Sequence, residues 1–234
     1  MSDSRAGLTG VQKIQRGPLR EQVRKQIKQL ILTNRLRPGQ PIIIDRLASE
    51  LGVSHTPVRE ALAMLEHDGL VMTRPYGTPQ VAEITSDDVR DAWEMRLLLE
   101  GWAMNKAVVG LSEDDLDKIE ESLARARQDA EASVYDTHLA SDIAMHDMIM
   151  QAADNKLFHR LARLVGDQSI RIRSLVEAIA SVEEVLTIVD EHCAILEVLR
   201  ARDQELAHER LVAHLQAGME RTLVALGRMK ENEA

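Results

Sequence analysis

From Thr85 onward the apolar residues recur at helical spacing, and each interruption is a cap or a stop rather than a strand. Val89, Trp93 and Leu97 share one face of a helix running to about Val109, where Gly110 stops it. Ser112 opens a second helix, to about Ala132, and a third fits Asp136 to Ala153. After the polar break Asp154-Asn155, a fourth runs from about Lys156 to Ile179. Ser181 and Asp203 cap a fifth and a sixth, to about Ala201 and Met229. Six helices in succession read as an antiparallel all-helical bundle. Composition agrees: one Phe, two Trp and two Tyr are too few to fill the strands of a sandwich or barrel, and 12 Gly with 6 Pro supply few turns.

The N-terminal third is built differently. Residues 1–15 are small and polar and read as disordered. Val23, Ile27, Leu30 and Ile31 then mark an amphipathic helix over about 19–34, which Arg37-Pro38-Gly39 breaks. A short helix fits Asp45–Leu51, with Gly52 after it. Ser54 is placed as the N-cap of a third helix, with Pro57 in its first turn and Asp68-Gly69 at its end. Leu70–Thr73 and Gln80–Ile84 read as short strands around a Pro/Gly turn. Helix, helix, tight turn, helix and hairpin is the order of a winged helix-turn-helix.

Charge divides along the same line. The net charge of −9 argues against nucleic acid, but residues 1–80 hold 12 basic and 7 acidic side chains, net +5, and residues 81–234 carry net −14. A basic segment joined to an acidic one implies two domains with different partners, the first of them suited to phosphate. The run Leu47-Ala48-Ser49-Glu50-Leu51-Gly52-Val53-Ser54-His55-Thr56-Pro57-Val58-Arg59 gives this chemical content. Its apolar members fill a small core, and Gly52 permits a left-handed turn. Ser54, His55 and Thr56 start a helix that would point at a groove floor, and Arg59 one turn later would fork onto a guanine edge or a phosphate. A bare three-helix core with exposed polar residues is the alternative.

These residues resemble the GntR family of bacterial transcription regulators from Leu19 to about Ile84, above all in the stretch LGVSHTPVREALAMLEHDGLV over residues 51–71. The resemblance implies double-stranded operator DNA as partner. Ser54, His55, Thr56 and Arg59 would face the groove, Gly77 with Tyr76 or Arg74 would form the wing tip, and Arg46 is a further DNA-contact candidate. His55 stands where the family usually has Arg, which removes a forked donor.

In the helical part the histidines carry the chemistry. Asp142 and His146 lie one turn apart on one helix face, and His192 falls inside the apolar stripe of Val185, Val189, Ile195 and Leu199. His192 precedes the turn near Arg202 by 10 residues and His214 follows it by 12, so an antiparallel hairpin brings both to nearly one height. Buried imidazoles need partners. A divalent metal held by Asp142, His146, His192 and His214 would supply them, and so would a metal-free histidine–aspartate hydrogen-bond network. His138 and His208 are lesser candidates.

Asp142-Ile143-Ala144-Met145-His146, Asn155 with Leu157, Glu191-His192 and His214-Leu215 are similar to the FCD ligand-sensing domain of the FadR branch of the same family. The resemblance implies an Asp and three His on a metal, with an organic acid completing the coordination. Zinc suits the donor set first, with nickel or manganese also compatible. A small carboxylic-acid effector needs cationic neighbours, for which Arg96, Arg171 and Arg173 are the candidates.

The resulting organisation is a disordered 1–15, a winged helix-turn-helix over 16–84, and a metal-binding, effector-binding and dimerisation domain over 85–230. The expected activity is a transcription regulator, a repressor, acting as a homodimer because one recognition helix reads only a half-site. A metal-dependent enzyme and a purely structural metal-binding bundle are the competing readings. The lone Cys193 excludes an intramolecular disulfide and a cysteine-based zinc finger. No run of 18 apolar residues and no apolar signal core occur, so a cytoplasmic protein with no membrane partner is expected.

Overall fold

The computed structural model describes residues 19–75, 77–132, 138–177 and 180–233. The chain divides between Ile84 and Thr85 into two compact units. Nine helices and one two-stranded sheet occur among the described residues.

The first unit contains α1 (Leu19–Leu32), α2 (Ile44–Leu51) and α3 (His55–His67), followed by β1 (Val71–Met72) and β2 (Gln80–Val81). The strands pair antiparallel, Val71 opposite Val81 and Met72 opposite Gln80, and are shorter than the sequence pattern implies. Val23, Ile27 and Ile31 of α1 meet Val58, Leu62 and Leu65 of α3 in a core without solvent access, closed by Leu70 and Val81. Gly52 adopts φ 68°, ψ 36° and its N–H bonds back to the end of α2. A Cβ there would meet nothing within 4 Å, so the left-handed backbone, not crowding, requires glycine.

The second unit contains α4 (Ser86–Gly110), α5 (Glu113–Glu131), α6 (His138–Gln151), α7 (Lys156–Glu177), α8 (Val182–Arg200) and α9 (Gln204–Glu233). Three of these helices begin with reciprocal capping boxes, Thr85 with Asp88, Ser112 with Asp115, and Ser181 with Glu184. Asn155 Oδ1 accepts from the N–H groups of Leu157 and Phe158, and Asp203 Oδ1 accepts from that of Leu206, which start α7 and α9. The α8–α9 turn is made by Arg202 at φ 57°. Its guanidinium donates to the carbonyls of Val108 and Leu111 at the end of α4, a cation placed at the negative end of a helix. In this unit α4 packs against α6, α7 and α9, and α8 packs against α5 and α9. That arrangement aims α4, α6, α8 and α9 at one polar centre inside an apolar bundle.

Candidate functional site

The helix-turn-helix surface is polar where the sequence places it. Ser54, His55, Thr56 and Arg59 are all exposed at the start of α3, on one side of a helix whose other side is core. Ser54 occupies the N-cap position, but its hydroxyl makes no capping hydrogen bond. This departs from the expected cap and leaves the first turn's amides facing outward, the arrangement that suits a phosphate. His55 Nε2 stands 3.2 Å from Asp45 Oδ1, an exposed pair. Arg46 is exposed and donates to Glu50 at 2.9 Å. At the wing, Gly77 N–H donates to the Arg74 carbonyl in a tight turn with Arg74 exposed. Tyr76 lies outside the described residues.

In the helical unit, Asp142 and His146 from α6, His192 from α8 and His214 from α9 converge, all buried, with one ligand atom of each within 4.8 Å of all the others. His214 Nε2 is 3.2 Å from both His146 Nε2 and His192 Nε2. Asp142 Oδ1 is 3.4 Å from His146 Nε2 and 3.3 Å from His192 Nε2. His138 is buried near them but outside the cluster, and His208 is exposed on α9.

Two carboxylates that spacing did not single out fix this geometry. Glu100, fully buried on α4, accepts from His146 Nδ1 at 2.5 Å and from Arg96 Nε at 2.6 Å. Glu191 on α8 accepts from His214 Nδ1 at 2.7 Å and from both terminal nitrogens of Arg221 at 2.7 Å. Burial pushes the Glu100 carboxyl up, but Arg96 and His146 outweigh it and hold the group well below the usual carboxylate range. Burial likewise raises Glu191, and bonds from His214 and Arg221 bring it down to about 2. Both are therefore acceptors, and the Nδ1 protons of His146 and His214 point at them.

That fixes the tautomers. With Nδ1–H committed outward, each Nε2 turns a lone pair inward, and the contact between His146 and His214 sets two lone pairs face to face. Burial and the neighbouring imidazoles hold His214 well below the ordinary histidine range, so an extra proton is not readily taken up there. His192 is depressed for the same first reason, burial, with His146 next. A metal-free hydrogen-bond network closes this contact only by adding a proton to one of the two rings. A cation resolves it: four of the six donor separations are 3.2–3.4 Å and all lie within 4.8 Å, close enough for one divalent ion to bind the four atoms together. The residues present fit a divalent metal.

Beside the cluster lies a cavity of about 100 Å³, lined by Asp142 and His214 and by Trp93, Arg96, Arg173 and Arg221 among others. Arg173, expected to meet an effector, is ion-paired with Asp142. Arg171 is buried on α7 but is not among the lining residues, so the structure does not bring it to this site. Arg96 spends its Nε on Glu100, yet its Nη2 is buried without a hydrogen-bond partner. Trp93, one turn earlier, presents an equally unpartnered buried indole N–H, with the Arg96 guanidinium 5.3 Å from its ring centroid. Trp93 reads in sequence as one more apolar position of α4, and its role is visible only in the lining.

Comparison with known proteins agrees with both halves. The family described as bacterial regulatory proteins of the gntR family matches residues 19–78, and the FCD domain matches residues 91–217. The chain is 26% identical over 208 residues to an uncharacterized HTH-type transcriptional regulator, YdhC, of Bacillus subtilis, covering 88% of this chain and 92% of that one. It is 25% identical over 199 residues to the HTH-type transcriptional repressor RspR of Escherichia coli, covering 85% and 86%. Among solved structures, McbR/YncC of E. coli superposes with a TM-score of 0.78 at 22% identity, over 88% of this chain and 98% of that one. YdhC and RspR are by name transcription regulators and not enzymes, and FCD domains commonly bind metal. A helix-turn-helix unit followed by an FCD bundle with its aspartate and histidines gathered at one point makes this chain a DNA-binding transcription regulator of the GntR family, in the branch that carries the FCD domain.

Proposed function

We propose that this regulator binds operator DNA as a homodimer and that a small carboxylic acid, bound beside a divalent metal in the helical unit, lowers that affinity, so that it acts as a repressor released by its effector. In this reading residues 16–84 read DNA, through Ser54, His55, Thr56 and Arg59 in the major groove and Arg46, Arg74 and Gly77 on the backbone. Residues 85–230 sense the effector and dimerise. The place of action is the cytoplasm; no helix among the described residues is long and apolar enough to cross a membrane.

Asp142, His146, His192 and His214 would hold the metal, zinc first, with nickel or manganese compatible with the same donors. Bound there, it would offer a Lewis-acidic anchor to an anionic oxygen. The chain supplies the rest. Glu100 and Glu191 hold His146 and His214 in the ligating tautomer. Arg173 draws one oxygen of Asp142 away and leaves the other for the cluster.

The observation that carries the effector reading is the pair of unpartnered buried donors, Arg96 Nη2 and Trp93 Nε1, in the wall of the cavity that Asp142 and His214 also line. Buried donors without partners cost roughly 1–3 kcal/mol each, and an acceptor-rich anion recovers that cost. A rigid structural metal site would not need them. The test is a thermal-shift and calorimetric screen of small carboxylic acids on chelator-treated protein and on protein reloaded with zinc, nickel or manganese. Metal-dependent acid binding is expected, together with a reciprocal loss of acid affinity when operator DNA is bound. Acid affinity that is the same with and without operator would make the site structural, and absence of metal binding would remove it.

A further inference from the structure

We propose that the effector of this regulator is a monocarboxylic acid with a short, unhydroxylated hydrocarbon tail, its carboxylate at the histidine end of the cavity in the helical unit and its tail in an apolar chamber beyond; this rests on the effector reading and names the class of acid.

Helix direction orders the cavity wall by distance from the histidines. His192 and His214 meet across the antiparallel pair α8 and α9, so residues before His192 and residues after His214 lie on the same side of them. At about 1.5 Å per residue, the lining residues Ile188 and Gly218 stand about 6 Å from that level, Thr222 about 12 Å and Ala225 about 16 Å. α4 runs opposite to α9, because a Cβ on Gly101 would lie 3.1 Å from His208 and one on Gly218 would lie 3.4 Å from Trp93 Nε1. Trp93 is therefore level with Gly218, and Arg96 is close to the level of His214. Glu100 meets His146 on α6, whereas Trp93 shares the cavity with Leu139, so Leu139 lies on the same side as Gly218. Ser169 shares a small cavity with Glu100, whereas Val176 shares the larger one with Trp93, which places Val176 on that side too.

The two ends differ in chemistry. At the histidine level stand Asp142, His214 and the unpartnered Nη2 of Arg96, with Trp93 Nε1 one turn out. Arg221 reaches back to Glu191, the partner of His214, and so belongs to this end. Beyond it the wall is Leu139, Val176, Ala180, Ile188 and Ala225. The polar groups among them are committed. The Thr222 hydroxyl donates to the Gly218 carbonyl at 2.7 Å, His138 is engaged in an interaction of its own, and at the outer end Arg228 stands 3.9 Å from Glu184. A hydroxyl on the tail would be buried there without a partner, and a second carboxylate would lose its water beside Glu184 without a cation to itself. A hydrocarbon tail instead gains by leaving water for an apolar wall. Size sets its length: an apolar cavity of about 150 Å³ takes a benzene ring, so one of about 100 Å³ takes roughly four carbon atoms.

The test is calorimetric titration of the zinc-reloaded full chain with acetate, 3-methylbutanoate, 2,3-dihydroxypropanoate and butanedioate, with circular dichroism and metal content as checks on folding. 3-Methylbutanoate and 2,3-dihydroxypropanoate have equal numbers of non-hydrogen atoms, so size cancels between them. 3-Methylbutanoate should bind at least about tenfold tighter than acetate, because each buried methylene is worth about fourfold, and at least about tenfold tighter than either polar acid. Val176→Thr keeps the volume and adds a hydroxyl, so it should cut the preference over 2,3-dihydroxypropanoate by at least about threefold. Ala225→Leu fills the chamber and should cut the preference over acetate by a similar factor. Near-equal affinities for the four acids, a preference for either polar acid, or ratios unmoved in both variants overturn the apolar chamber while the effector reading stands. Protein that takes up zinc but binds none of the four, acetate included, overturns the effector reading with it.

Discussion

Replacing Glu100 by Gln tests the core of the site, because the carboxylate does two separable jobs. It is the counter-ion of Arg96, and the two side chains are only 1% and 5% exposed. It is also the acceptor for His146 Nδ1. Gln is nearly isosteric and still offers one acceptor oxygen, so packing is retained and only charge and one hydrogen bond are lost. Breaking a buried ion pair from one side costs about 3–5 kcal/mol. The retained amide oxygen offsets part of that, so about 2–4 kcal/mol is expected in metal-free protein. At roughly 2–4 °C per kcal/mol for a unit of this size, the melting transition of the helical unit should fall by about 4–16 °C. Metal affinity should fall separately, by about 10–100-fold, because His146 loses the partner that orients it. Removing both charges, with Arg96→Met and Glu100→Gln together, should restore part of the stability and, because the amide oxygen is then free to accept from His146 Nδ1, part of the metal affinity. Thermal melts of chelated protein and competitive metal titrations report the two quantities independently. If Glu100→Gln melts with the parent and binds metal as well, the carboxylate is neither counter-ion nor orienting group, and the tautomer argument for the metal fails with it.

Arg59→Ala should weaken operator binding by about 1–3 kcal/mol at fixed salt without changing the melting of either unit, measured by fluorescence anisotropy; unchanged affinity takes Arg59 off the contact surface. Trp93→Phe keeps the ring and removes the N–H, so acid binding to the metal-loaded protein should weaken by about 1 kcal/mol with metal content unchanged, and equal affinity in calorimetry would show that the indole does not face the ligand. The metal-free protein should lose stability as pH falls below about 6.5, the ordinary histidine value. Burial depresses His192 and His214 in the folded state, so the unfolded chain takes up protons first, and stability present above the unfolded value is lost below it. Urea titrations at pH 7.5 and 5.5 that give the same midpoint would contradict the buried neutral imidazoles.

The legible parts of this protein are those set by local rules. Ser112, Ser181 and Asp203 announce helix starts because a cap satisfies amides within its own first turn, and of Thr85 and Ser86, which suit the same position equally, the structure uses Thr85. His192 and His214 are predictable as neighbours because residue counting across one short turn fixes their heights, and the structure sets their Nε2 atoms 3.2 Å apart. Glu100 was not legible by the same means. It sits 46 residues from His146, and its nearer partner along the chain is Arg96, one turn away on the same helix. Nothing local says that a second bond reaches across from α6. Arg173 and Arg171 show the converse error. Both are cations on one helix, two residues apart, so helical geometry turns them toward different sides. One reaches Asp142 and the cavity, and the other does not line it. Charge count in an acidic domain named them both, whereas direction, which depends on how α7 is rotated against α4 and α6, chose between them. The same rotation buries Arg96 and Trp93 toward the cavity and leaves Met95, Leu98 and Trp102 on the outside of α4.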